Sequence, residues 1–350
     1  MKSYVLTGVL LVPILCISQN SLGAALSQEE QLGKIMYQDQ DFSFNSTQSC
    51  QTCHHRTAGF ADPTNARDPE NTVVSTGANG FSLGGRNAPS AAYAGYSPPL
   101  EYDSTSGEWR GGLFWDGNAD GRRLGDPLAE QAQGPPLNPV EMNMPDKESV
   151  VNVVRNSDYL ALFYEVNGPG SLEDVDAAFD TIARNIATYE RSRDLVRFSS
   201  RYDQDRLNGR ERNGERLYLE KCSSCHVQDE IPGKGPLFTN YGYSNIGIPP
   251  NWLIYPGEDD LGLGVTVGES AQNGKFKVPT LRNVELSAPY GHNGYFPTLR
   301  DIVSFKNSRD SGNWPEPEVP ENLSEDIGSL GLTESEIDDL VAFLMALTDQ

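Results

Sequence analysis

The chain has 350 residues, 49 acidic and 27 basic, and a net charge of −22. A surface of that sign is a poor partner for nucleic acid or anionic lipid; it serves either solubility alone or the docking of basic proteins. A hydrophobic fraction of 37 %, with 34 Gly and 23 Pro, points to modest cores wrapped in long loops, and the length allows two ordinary domains.

The N-terminus reads as a secretory signal peptide over residues 1–25. Lys2 is followed by an apolar run from Tyr4 to Ser18 and then by Gly23-Ala24-Ala25. The run contains Pro13 and is short for a membrane span. Bulky Leu15 before Cys16 argues against lipid attachment. No later stretch is apolar enough to cross a bilayer, so a soluble periplasmic protein is expected. Without the leader four cysteines remain, and all four lie in two short motifs.

One pattern is used twice along the rest of the chain. A helix is predicted from Gln28 to Tyr37, ahead of Cys50-Gln51-Thr52-Cys53-His54. The repeat closes with a helix over Ser171–Arg191, where Val175, Phe179, Ile182, Ile186 and Tyr189 recur at helical spacing. A second leading helix, Gly209–Glu220, precedes Cys222-Ser223-Ser224-Cys225-His226. The closing helix, Thr333–Leu347, opens on a capping-box pair, Thr333 and Glu336. The polar stretch Ser199–Arg212 reads as a linker, dividing residues 26–200 from 201–350. Long loops rich in Gly, Pro and Asn (Ala61–Gly85, Tyr96–Gly125, Asp310–Asp326) are expected to wrap the cofactors. No useful period-2 pattern is present. The expected fold is all-α, two c-type cytochrome domains with long irregular loops.

Cys-x-x-Cys-His is the attachment signature of c-type haem. The cysteines form thioethers to the vinyl groups, and the histidine ligates the iron. Zinc wants four ligands, and each motif offers three at most. Two covalent haems are therefore expected, on Cys50, Cys53 and His54 and on Cys222, Cys225 and His226. The chain has only four histidines: His54, His55, His226 and His292. His55 is tethered too closely to His54 to reach the far face of the first haem. That haem has no evident strong sixth ligand, although Met142 and Met144 lie in its domain. An open iron face binds small ligands such as peroxide. For the second haem the candidates are His292, Tyr290, Tyr295, Lys306 or no ligand, with Met345 assigned to the core.

Further stretches carry a family resemblance. They are Phe114-Trp115-Asp116-Gly117, Glu130-Gln131-Ala132-Gln133-Gly134-Pro135, Asn138-Pro139-Val140-Glu141-Met142, Val278-Pro279-Thr280-Leu281-Arg282-Asn283-Val284 and Ala288-Pro289-Tyr290-Gly291-His292-Asn293-Gly294. Together with the two haem motifs, and in this order, the chain resembles the bacterial di-haem cytochrome c peroxidase and MauG family over nearly its whole mature length. The resemblance implies that Gln131 and Glu141 stand over the peroxide-binding haem. Glu141 would move a proton between the peroxide oxygens, its pKa raised by desolvation, and Gln131 would orient peroxide or a water. It implies that Pro135 packs over the open face and that Trp115 lies between the haems. Residues 120–125 read as an insertion near Trp115. It also implies a calcium ion held by Asn87, Ser287 and Pro289, oxygen donors that suit a hard cation.

The departures matter as much. Peroxidases of this family that need reductive activation cap the first haem with a mobile-loop histidine, and this chain has none to offer. At the position of the second haem's sixth ligand, methionine or tyrosine in the family, stands Lys306. It is either an unusual neutral-amine ligand or a solvated lysine. In both cases the methionine that raises a haem potential is absent. The expected activity is that of a haem oxidoreductase. It takes hydrogen peroxide at a five-coordinate haem and passes oxidising equivalents through the second haem, to reduced cytochrome c or to Tyr or Trp of a partner protein. The other reading is a di-haem electron carrier without catalysis.

Overall fold

The computed structural model describes Met1, residues 25–254 and residues 257–350; the expected signal peptide falls almost wholly outside them. The first half runs α1 (Gln28–Gln38), α2 (Cys50–Cys53), α3 (Pro63–Arg67), α4 (Pro127–Gln131), α5 (Gly134–Leu137), α6 (Lys147–Arg155), α7 (Leu160–Asn167) and α8 (Val175–Glu190). The second half runs α9 (Gly209–Lys221), α10 (Leu263–Val267), α11 (Leu299–Ser308) and α12 (Glu334–Met345). Helices dominate, as expected. Two small antiparallel ladders are added to them: β1 (Glu101–Asp103) with β2 (Glu108–Arg110), and β3 (Tyr243–Ser244) with β4 (Phe276–Lys277). They are too short to show a period in sequence.

The four helices read from the pattern are all present. α1, α9 and α12 begin with capping boxes, Ser27/Glu30, Asn208/Glu211 and Thr333/Glu336, which satisfy amide groups that a helix start leaves unpaired. Asp174 caps α8 through the Ala177 amide. In each half the first helix crosses the last one at a glycine. A Cβ on Gly33 would lie 2.1 Å from the Asn185 carbonyl oxygen of α8, and one on Gly214 would lie 2.0 Å from the Asp339 carbonyl oxygen of α12. Only hydrogen at those Cα atoms allows so close an approach. Apolar side chains then close around each crossing: Leu32, Met36, Phe179, Ile182 and Ile186 in the first half, Leu217, Tyr218, Leu340 and Phe343 in the second.

Two readings change. Met345 is 40 % exposed rather than in the core, because α12 turns Ile337, Leu340, Phe343 and Leu344 inward and leaves Met345 outside that stripe. Residues 199–212 are not a loose linker. Asp203 makes a two-pronged ion pair, 2.7 and 2.8 Å, with the fully buried guanidinium of Arg282, which also lies 4.5 Å from the Phe198 ring centre. Asp349, next to the C-terminus, accepts from the Tyr93 hydroxyl and the Ser199 amide, and Arg282 lies over the Tyr93 ring. Polar composition here records an ion pair within the second half and hydrogen bonds from Tyr93 and Ser199 to Asp349 between the halves.

Overpacking the crossing is testable. Gly214→Ala should lower the unfolding free energy by about 1–3 kcal/mol, measured by denaturant titration at constant cofactor content.

Candidate active site

The two motifs are built alike. In the first, the α2 turn brings the His54 amide to the Cys50 carbonyl at 2.9 Å. The His54 ring is fixed by Nδ1, 3.1 Å from the Phe60 carbonyl oxygen. The Tyr37 hydroxyl, from the last turn of α1, donates to the His54 carbonyl at 2.7 Å. In the second, the His226 amide meets the Cys222 carbonyl at 3.0 Å, Nδ1 lies 2.9 Å from the Phe238 carbonyl oxygen, and the Tyr218 hydroxyl donates to the His226 carbonyl. A carbonyl only accepts, so each Nδ1 carries the proton and each Nε2 keeps its lone pair for an iron. Burial lowers both imidazole pKa values, that of His226 to about 4 with Lys306 adding to the effect. Both rings are therefore neutral, the form that ligates metal.

The four motif cysteines are unpaired. Burial pushes the Cys53 thiol up to about 12 and Cys222 to about 11, and raises Cys50 further. Reactive and zinc-bound cysteines are thiolates with depressed pKa values, so these environments suit neither. Among the described residues no cluster of His, Cys, Asp and Glu could hold a metal by itself. A cavity of about 440 Å³ runs past both motifs. Its lining includes Gln131, Pro135, Glu141, Trp115, Lys306, Asn87, Ser287 and Pro289, while His55, Met144 and Tyr295 lie outside it. Free thiols, oriented neutral imidazoles and a mostly apolar cavity between them fit haem at both places.

On the side of the first motif, Gln131 ends α4 and Pro135 lies in α5. The Pro135 carbonyl accepts from the Met142 amide at 3.2 Å, which closes the turn that presents Glu141. The Glu141 carbonyl accepts from Ala78 at 2.7 Å. Burial raises the Glu141 carboxyl pKa, against a lowering hydrogen bond from Asn138, and its charge acts on Cys53. Residues 120–125 are wrapped around Glu130, whose carboxylate accepts from the Gly121, Arg123 and Leu124 amides. This segment therefore braces α4. His55 bonds Thr57. Met142 is buried and also lines the cavity.

Trp115 is held from both halves. Its indole Nε1 donates to the Asn87 carbonyl at 2.9 Å, and its own carbonyl accepts from the Lys277 amide at 2.9 Å. Asn87 is buried, and its side-chain nitrogen is spent on the Val73 carbonyl at 2.9 Å, leaving the amide oxygen available to a cation. Ser287 and Pro289 follow in the loop leading to His292.

On the side of the second motif, Lys306 lies on α11 with its amine pKa lowered by burial, although the charges of Cys222 and Cys225 oppose that shift. Among the described residues no hydrogen bond involves that amine. Of the other candidate ligands Tyr295 lies outside the cavity lining, and two have partners elsewhere. His292 Nε2 meets Glu318 at 3.1 Å with its ring stacked on Phe276, and the Tyr290 hydroxyl donates to the Val284 carbonyl at 2.9 Å. Sequence reasoning missed Glu190 and Lys277, both in the cavity lining. Glu190 continues the buried stripe of α8 four residues after Ile186, a position where a charge is out of place. Its carboxyl is pushed up to about 8 by burial, and one oxygen has no partner.

Duplicated haem-attachment motifs on two helix-crossing domains, opening onto one cavity, define a di-haem c-type oxidoreductase. The family described as di-haem cytochrome c peroxidase matches residues 27–212, and the cytochrome c family matches 211–348. The chain belongs to the di-haem cytochrome c peroxidase family and is a haem-dependent oxidoreductase. It is 37 % identical to the methylamine utilization protein MauG of Paracoccus denitrificans over 349 residues, covering 91 % of this chain and 88 % of the relative. It is 26 % identical to cytochrome c551 peroxidase of Pseudomonas aeruginosa, covering 85 % and 76 %. The crystal structure of the di-haem peroxidase BthA from Burkholderia thailandensis superposes with a TM-score of 0.82 at 29 % identity, covering 93 % of this chain and 87 % of that one.

Glu190 gives a stability test. Its folded pKa of about 8 stands above the ordinary 4.5, so the native state keeps a proton that the unfolded chain loses as pH rises from 4.5 to 8. Wild-type stability should fall across that window by about 1.4 kcal/mol per pH unit relative to Glu190→Gln. Denaturant unfolding of both proteins at pH 5 and pH 8 checks this.

Proposed function

We propose that the protein reduces hydrogen peroxide at the haem of Cys50, Cys53 and His54 and passes the oxidising equivalents through the haem of Cys222, Cys225 and His226. The recipient is a reduced small cytochrome or Tyr and Trp side chains of a partner protein. The carrying observation is that the first half gives the cavity one imidazole, His54. Gln131, Pro135 and Glu141 line it as well, and His55 does not. When bound, haem supplies the iron at which peroxide accepts two electrons; two protons complete its conversion to two waters. Glu141 takes the proton from one peroxide oxygen and returns it to the other, a task suited to a carboxyl raised toward neutrality by burial. The Gln131 amide orients the peroxide. Pro135 contributes no hydrogen-bond donor and keeps the pocket free of a competing ligand. Trp115, bonded to both halves, relays electrons between the haems.

Lys306 is assigned as the sixth ligand of the second iron, through the neutral amine that its burial favours. Calcium is assigned to the Asn87 amide oxygen with the Ser287 and Pro289 carbonyls. The domains divide near residue 200. A cleaved leader over 1–25 delivers the chain to the periplasm, where thioether haem attachment takes place. No helix among the described residues is long and apolar enough to cross a membrane. The name of the relative cytochrome c551 peroxidase supports a cytochrome as recipient. The alternative, a non-catalytic di-haem electron carrier, draws on Met142, which also lines the cavity.

Three measurements separate these readings. The resting ferric protein should show a high-spin EPR component; two low-spin haems inert to peroxide would establish the carrier. Glu141→Gln should slow the peroxide reaction by about 10²–10⁴-fold in stopped flow, with the wild-type rate falling as pH drops below the raised Glu141 pKa and the base becomes protonated. Lys306→Ala should alter the low-spin EPR signal, and an unchanged signal would remove lysine as ligand.

A further inference from the structure

The cavity holds one cation that the assignments above do not use. Lys277 follows Phe276 in β4, and its amide donates to the Trp115 carbonyl at 2.9 Å. Its ammonium donates to the Gly111 carbonyl at 2.9 Å and lies 5.7 and 5.4 Å from the ring centres of Tyr241 and Tyr243. The Tyr243 hydroxyl donates to the same carbonyl at 2.6 Å. An ammonium has three donors, and one carbonyl with two aromatic faces is thin solvation for it. Burial accordingly lowers its pKa to about 7.

The other basic side chains lining the cavity are provided for. Arg86 pairs with Asp116 at 2.7 Å and Asp260 at 2.6 Å, Arg282 pairs with Asp203, and Lys221 pairs with Glu220 at 2.9 Å. Lys306 faces the second motif. Among the described residues, no carboxylate pairs with Lys277. A buried charge of this kind is kept only where a partner of opposite sign meets it. A c-type haem brings such a partner: two propionates, on the porphyrin edge away from the cysteine-bound vinyl groups. The strand leaving Lys277 runs directly to Pro279, whose carbonyl faces the His226 imidazole, and Lys277 and His226 line the same cavity.

We propose that Lys277 is the counter-cation of a propionate of the second haem and holds that edge of the porphyrin beside the Trp115 backbone. This rests on haem being bound at the Cys222 motif. A positive charge there disfavours the ferric state, so Lys277 raises the potential of the second haem, compensating in part for the missing methionine. The ion pair also fixes the distance between the carboxylate edge and the bridging tryptophan.

The test uses the haem-loaded full-length protein and Lys277→Met, Lys277→Gln and Lys277→Arg, with haem content counted by pyridine haemochrome. At the wild-type midpoint of the low-spin haem, the ferric-to-ferrous ratio should rise roughly tenfold in the Met and Gln variants. Lys277→Arg should restore the wild-type ratio, and resonance Raman propionate bending bands should shift in the uncharged variants alone. Two haems per chain with unchanged titration and Raman bands in Lys277→Met or Lys277→Gln would overturn the proposal. So would a change confined to the high-spin haem, or failure of Lys277→Arg to restore the ratio. Wild-type protein without covalent haem would instead overturn the haem assignment itself.

Discussion

Each motif histidine is tied down at two points, and the rest of the site depends on that tie. Its Nδ1 proton is committed to a backbone carbonyl, Phe60 or Phe238, and its own carbonyl is taken by a tyrosine hydroxyl, Tyr37 or Tyr218. The tautomer, the ring orientation and the backbone of the motif are thereby set together. The tyrosines come from the leading helices, and those helices are placed by glycine-mediated crossings with the closing helices. Loss of a crossing would therefore move the tyrosine and with it the histidine.

The two halves repeat this frame and differ in what faces it. The first offers Gln131, Pro135 and the Glu141 carboxyl; the second offers the Lys306 amine. One frame thus presents a carboxyl at one motif and an amine at the other. Asymmetry resides in loops and in α11, which can vary while the helix crossings stay constant.

The halves are joined at several anchored points. Arg282 and Asp203 fix the 199–212 stretch, Tyr93 and Asp349 close the same joint, and Arg86 pairs with Asp260. Trp115 is pinned by Asn87 on one side and by Lys277 on the other. Rigidity at this joint suits electron transfer, where a change in separation changes the rate. The net charge of −22 lies over this frame and suits a basic redox partner.

Much of this was legible in order of residues alone. Cys-x-x-Cys-His is a local motif, so both haem sites could be placed by spacing; the four framing helices announced themselves through apolar period and caps. Gln131, Glu141 and Trp115 needed a family likeness, because a lone Glu or Trp in a loop has no local signature. Glu190 and Lys277 stayed hidden, since a titratable side chain reads as solvated until burial is known. In the 199–212 stretch Asp203 reads as an ordinary polar residue for the same reason, and only the structure shows its pairing with Arg282. The sequence by itself determined the cofactor chemistry and the helical frame, whose signals act within a few residues. Tertiary structure alone decided which charges are buried and what they face, because desolvation depends on segments that lie far apart along the chain, as Asp203 and Arg282 or Lys277 and Gly111 do.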